Sequence, residues 1–320
     1  MIPLDFPPAR VHRLPGTIPG RIMTLTIYQF AALGAALCWA FGGIISARAV
    51  GEMGVMRFNA LRLVSIALIA GVWVIASGRH EAITAWMVGP ILLSGFIGIF
   101  LGDTLLFNCI RRMGPRRTAV LFATNAPMGA LLGWLFLGET LPGSTILAIA
   151  IIMAGVIIAI VFGKRASAVH EWESVKGPIW VGVALGLLAA LGQAVGAIYA
   201  RPVMAAGADP FTVMAVRAGI SGLALGGLTA ALPRLAGPSQ FSPRGIMWTV
   251  ISGIVGMGIG MSLLLFALEG GNVGVVTTLS ATTPILVLPL LWMTTKEPPA
   301  PAAWLGAFCV VIGVAILALA

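Results

Sequence analysis

The chain has 320 residues, of which 59% are hydrophobic and only 9% charged, with a mean hydropathy of +1.04. A soluble domain carries about 25% charged residues, so this composition excludes an ordinary water-facing surface and equally excludes disorder. The three cysteines (Cys38, Cys109, Cys309) lie in apolar runs and rule out a disulfide-stapled fold, while the net charge of +9 is scattered over short connections and forms no basic face for nucleic acid.

What remains is an all-α integral membrane protein. Residues 1–25 begin MIPLDFPPARVHRLPGTIPGRI, with five prolines and no apolar core. They read as a disordered tail, not a secretory signal, and Met23 is a second candidate start. A bilayer core of about 30 Å takes roughly 20 apolar residues per helix. Ten such runs follow: 26–47, 56–77, 86–109, 116–137, 142–162, 177–200, 210–231, 245–268, 273–294 and 301–320. Pro115, Pro142, Pro178 and Pro210 sit at or near first turns, where a missing N–H costs nothing, and Asp209 suits an N-cap. The runs are too long for barrel strands and lack their alternation. Connections are short, so consecutive helices pack antiparallel. The polar stretch 163–176, GKRASAVHEWESVK, divides the chain into 26–162 and 177–320.

These halves repeat one another. Arg62 in the second run matches Arg217 in the seventh. Gly98-x-x-x-Gly102 in the third matches Gly256-x-x-x-Gly260 in the eighth. ATNAP ending at Pro127 matches ATTP ending at Pro284, and Glu139 stands as far before Gly155 as Glu297 before Gly313. Five helices per repeat, an odd number, force the halves into opposite orientations. This is the inverted repeat of many secondary transporters.

Ionisable groups inside a bilayer are costly and are functional candidates by default. Arg62 and Asp103 lie at similar depths on antiparallel neighbours, so an ion pair is expected, either as a structural clasp or as a gate or proton-coupling pair. In the second half Met261 occupies the position of Asp103. Arg217 therefore snorkels to the interface, pairs elsewhere, or presents its guanidinium to an anionic or zwitterionic substrate. The fourth run carries Thr124, Asn125 and Pro127; the ninth carries Thr277, Thr278, Ser280, Thr282, Thr283 and Pro284. Matched proline-interrupted helices point to a transporter's site, although threonine hydroxyls also bond their own helix carbonyls. Trp39, Asn108, Gln193 and Tyr199 are candidates for cavity walls or for ordinary packing. Glu139 and Glu297 precede the fifth and tenth helices, where a carboxylate suits the positive N-terminus. Repeated G-x-x-x-G spacings let helices approach closely.

The first half resembles an EamA repeat of the drug/metabolite transporter superfamily. The resemblance lies in Cys38-Trp39, Ala47-Arg48, Arg62, the small-residue third helix, Thr124–Pro127 and LGETL at Leu137–Leu141. Ala200-Arg201, Arg217, Ala281–Pro284 and Lys296-Glu297 resemble the same repeat in the second half, though TKEPPAP lacks the glycine expected before its glutamate. The resemblance implies a ten-helix carrier with a central cavity, an exporter of small metabolites in the cell membrane (the inner membrane of a bacterium), with cytoplasmic termini. The Lys/Arg count points the other way, with five residues on the terminal face and twelve opposite.

No G-x-x-x-x-G-K-[ST] loop is present, so the chain alone does not use ATP. No metal-ligand spacing or cofactor fingerprint is visible, and His12, His80 and His170 lie outside the runs. An intramembrane enzyme lacks its acid cluster, and a channel lacks its ring of charges. The expectation is therefore a secondary transporter working by alternating access, without a cofactor. Its partners are a small-molecule substrate and the lipid bilayer, with the oligomeric state open.

Overall fold

The computed structural model describes residues 26–79, 83–162, 177–232, 242–295 and 300–319. The N-terminal tail, the linker 163–176, His80 and Glu297 lie outside the described residues. The described chain is helical throughout. Five helices are long and apolar enough to cross a membrane: Val55–Ala76, Ala85–Met113, Ile179–Ala205, Pro210–Ala231 and Pro243–Gly270. Five shorter apolar stretches, 27–43, 121–137, 143–158, 273–287 and 301–313, complete ten crossings. Large side chains such as Leu68, Val72, Leu223, Phe308 and Val311 point outward, while alanines and glycines fill the interior. Lipid tails solvate leucine as well as a core does, so close backbone packing holds the helices together.

Local chemistry sets the helix ends. Thr26 and Gln29 form a reciprocal capping box at the start of Ile27–Met53. Asp209 accepts from the Thr212 N–H, with Pro210 next in line, and Ser242 caps Pro243 in the same way. The first helix runs six residues beyond its expected end at 47, to Met53, because buried Ala49 and Met53 extend its apolar face. It meets Val55–Ala76 through Gly54 alone, whose φ of 77° turns the chain sharply. The sixth crossing also runs past its expected end at 200, through Pro202 to Ala205.

The helix Gly102–Ala123 serves two crossings. Thr118 Oγ1 lies 3.2 Å from Cys109 Sγ. Nine residues along a straight helix rise about 13 Å, so the chain folds back between Met113 and Thr118. Leu121 and Cys109 accordingly both pack around Gly186.

Contacts between the halves follow a pseudo-twofold. The first crossing packs on the eighth and ninth, and the sixth packs on the third and fourth. The second meets the seventh, the fourth the ninth, and the fifth the tenth. Both halves share three devices. The third crossing contains a π-helical stretch, Phe96–Leu101, and the eighth contains another, Gly253–Met261. The fourth is interrupted at Thr124, between helices ending at Ala123 and starting at Asn125. The ninth is interrupted at residues 281–282, between Val273–Ser280 and Thr283–Thr295. Glycine crosses glycine at corresponding places in the two halves: a Cβ on Gly196 would stand 2.9 Å from Gly98 Cα, and one on Gly42 would stand 3.6 Å from Gly256 Cα.

Candidate functional site

The second and third crossings bring Arg62 to Asp103, and the two form an ion pair through Arg62 Nη2 and Asp103 Oδ2. Asn59, one turn before Arg62, accepts from the same nitrogen at 3.0 Å. The Phe58 and Phe107 rings flank the guanidinium, with centroids 5.8 and 5.0 Å away. A cation in this setting is held by charge, hydrogen bond and ring faces together. Asp103 also lies within electrostatic reach of Arg217. The cluster thus holds two guanidiniums and one carboxylate.

Arg217 does not snorkel: it is 1% exposed. Its Nη1 lies 3.2 Å from Met261 Sδ, and its Nε has no hydrogen-bond partner among the described residues. Arg217 to Met261 repeats the geometry of Arg62 to Asp103 across the pseudo-twofold, with a weakly accepting thioether where the first half has a carboxylate. The guanidinium fits against Gly98 and Gly196, where any Cβ would lie 3.2 and 3.5 Å from Nη2.

Trp39 crosses from the first half to the second. Its Nε1 donates to Gly256 O at 2.9 Å. A π-helical stretch leaves such carbonyls without their usual i+4 donor, and the indole supplies one. Gly260 gives the ring room: a Cβ there would lie 3.1 Å from Trp39 Cδ1.

The remaining candidates are spread along the same interface. Asn125 is 2% exposed and its Oδ1 has no partner among the described residues. Gln193 is buried near Gly102, and Tyr199 is half-buried. Asn108 Nδ2 donates to Thr104 O at 2.8 Å. Thr124, Thr282 and Thr283 donate to the carbonyls of Leu121, Leu279 and Ser280 at 2.6, 2.7 and 2.8 Å. Their donors are committed to their own helices, and these bonds shape the two interruptions. The first break falls at Thr124, one turn before Pro127, since proline has no N–H to offer the carbonyl of Ala123. The Pro127 ring is exposed. Pro284 lies one residue into Thr283–Thr295.

Glu139 acts elsewhere than expected. Its carboxylate accepts from the ninth crossing in the other half, a partner beyond the fifth helix that follows it in sequence. Both carboxylate oxygens lie 2.9 Å from the Val273 N, at the start of Val273–Ser280. Glycine at 133 leaves the space that the carboxylate fills. Nearby, Arg201 Nη1 donates to Glu269 O at 3.3 Å. On the same face, Arg79 of the first half pairs with Asp209 of the second at 2.6 Å. Burial works to raise the Asp209 carboxyl, but the bonds from Thr212 and Arg79 outweigh it and hold it below the usual range.

Burial pushes the Glu139 carboxyl up, opposed in part by the Val273 N–H and by Arg201. An acid whose folded pKa is raised contributes stability at low pH and loses it as pH rises through the folded value. The detergent-solubilised protein should therefore lose a component of thermal stability as pH rises above the ordinary glutamate value of about 4.3. Glu139→Gln keeps an acceptor for Val273 but has nothing to ionise, so its melting temperature should lack that component. An identical pH slope in both proteins would remove Glu139 as its source.

Sequence reasoning missed Asn59, Phe58 and Phe107, the Gly256 carbonyl and the Glu139–Val273 contact. The glycine run Gly253, Gly256, Gly258, Gly260 was the available signal for the Trp39 dock.

A family model described as the EamA-like transporter family matches residues 26–161 and 180–319. The threonine/homoserine exporter RhtA of Salmonella typhimurium, strain SL1344, is 29% identical over 124 residues. The strain LT2 protein of the same name matches equally. Those residues are 38% of this chain, and the match spans 41% of the exporters' own length. A crystal structure superposes with a TM-score of 0.74 over 91% of this chain and 96% of its own, at 19% identity, and shares the fold.

Proposed function

We propose, for a chain that belongs to the EamA-like transporter family, that it exports a small anionic or zwitterionic metabolite across the cell membrane by alternating access. The observation that carries this reading is the pairing of devices across the pseudo-twofold: two broken helices and two π-helical stretches, one of each per half. Devices so related give two equivalent gates around one site. Ties between the halves are found at both faces. At the face bearing the termini they are Glu139 to Val273 and Arg79 to Asp209. Toward the opposite face, inside the first and eighth crossings, the Ser46 and Ser252 hydroxyls lie 2.7 Å apart. Arg62 and Asp103 are the coupling pair of this reading, and Arg217 is its substrate anchor. The similarity to a threonine/homoserine exporter supports an amino-acid-sized cargo. The chain is a carrier in this reading, not an enzyme, and its membrane is the inner one in a bacterium.

The test is counterflow in sealed liposomes bearing the purified protein. Labelled L-threonine and L-homoserine should enter saturably and faster when the same compound is loaded inside. Linear, unstimulated flux would indicate a channel, and recovery of an altered compound an enzyme. Either result would overturn the carrier.

A further inference from the structure

We propose, on the carrier reading above, that Met261 marks a vacated carboxylate position and that the cargo's own carboxylate occupies it on Arg217. The two halves build the same cationic seat. In the first, Asp103 fills it; in the second, the Met261 sulfur stands 3.2 Å from the guanidinium. A thioether accepts weakly and carries no charge, so among the described residues Arg217 shares with Arg62 the opposite charge of Asp103, which is paired directly with Arg62.

Neighbouring groups do not make up the difference. The Gly196 carbonyl, which receives Ser94 Oγ at 2.5 Å, and the Gly95 carbonyl, which receives Ser221 Oγ at 2.9 Å, are neutral and carry no charge to balance the guanidinium. Asp103 is engaged by Arg62. Arg217 Nε has no partner among the described residues. Glycine at 98 and 196 leaves the guanidinium unobstructed by side chains from those helices. Methionine is unbranched and flexible, so it can withdraw when a better acceptor arrives.

Charge then defines the class of cargo. Arg62, Asp103 and Arg217 together carry one net positive charge. One carboxylate neutralises it, whereas a phosphate ester would leave excess negative charge buried. The seat fits the carboxylate of small monocarboxylic acids, amino acids included with their ammonium held outside it, and Met261 is the residue that keeps it open.

The experiment measures binding by thermal shift of the full chain in detergent, with two acid/amide pairs: L-threonine with L-threoninamide, and L-lactate with L-lactamide. Hydrogen bonds to charged groups imply that acids should bind about 10- to 100-fold more tightly than their amides. Met261→Asp rebuilds the first half's pair in the second. Its melting temperature should rise and its affinity for the acids should fall by about the same factor. Met261→Leu, similar in volume and uncharged, should keep acid affinity within about threefold. If Met261→Asp does not fold, Arg217→Gln should abolish the discrimination between acid and amide.

Acids and amides binding alike, Met261→Asp binding acids like the wild type, or no shift from any of the four probes would each overturn the seat. Acid-selective binding without counterflow would leave the seat standing and overturn the carrier. Counterflow indifferent to Met261→Asp would do the reverse.

Discussion

Asp103→Ala should cost about 3 to 5 kcal/mol of stability, the range for breaking a buried ion pair by removing one partner. The side chains of Arg62 and Asp103 are 9% and 16% exposed, so the abandoned guanidinium has little water to turn to. Two aromatic rings and Asn59 would remain around it, and Arg217 would lose the nearest opposite charge. Denaturant unfolding in mild detergent measures the loss. Replacing both partners with apolar residues, Arg62→Met with Asp103→Leu, should cost far less, because no orphaned charge is left behind. Exchanging the charges, Arg62→Asp with Asp103→Arg, should recover part of what each single change loses. Strictly additive losses would mean that the pair is not energetically coupled. Asp103→Asn separates clasp from coupling: it keeps a polar partner for Arg62 but cannot carry a proton. Its counterflow should lose pH dependence if Asp103 is the coupling acid, and unchanged pH dependence would remove that role.

Gly196→Ala and Gly42→Ala should differ sharply although they occupy corresponding crossings. A methyl on Gly196 would meet the Gly98 backbone at 2.9 Å and Ser94 O at 3.3 Å, and neither can rotate away. The third and sixth crossings would have to separate, at about 1 to 3 kcal/mol or more. A methyl on Gly42 would find Gly256 Cα at 3.6 Å, an ordinary contact, so Gly42→Ala should melt like the wild type. Alternating access exchanges the roles of the halves. If this chain works in the proposed way, the Gly42–Gly256 crossing tightens as the Gly196–Gly98 crossing loosens. Gly42→Ala should therefore fold normally and fail in counterflow by at least an order of magnitude. Wild-type counterflow in that variant would show that the two crossings do not trade places.

The crossings themselves were readable because lipid leaves the chain little choice: every backbone group must bond within a helix, and every exposed side chain must be apolar. The repeat was readable because charged residues are scarce inside the apolar runs, so Arg62 and Arg217 stand out at matching places, with Pro127 and Pro284 in order after them. The π-helical stretches were not, since shifting hydrogen bonds from i+4 to i+5 changes no side chain and leaves hydrophobicity untouched. Glu139 was misplaced for a different reason. It lies beside one helix start in sequence and another in space, and only the tertiary fold brings Val273 to it. Arg217 was expected among three fates, and burial among the glycines of the third and sixth crossings rules out the interfacial one.

The interruptions at Thr124 and at residues 281–282 divide each of two crossings into separately orientable rods. The distal rods, Asn125–Leu137 and Thr283–Thr295, are each 13 residues long, about 20 Å at 1.5 Å per residue. A tilt of roughly 10° about such a joint sweeps the free tip through ~3 Å, close to the diameter of a water molecule. In the proposed alternating access, lever arms of this length would open one mouth of the protein while the proximal rods stay in place.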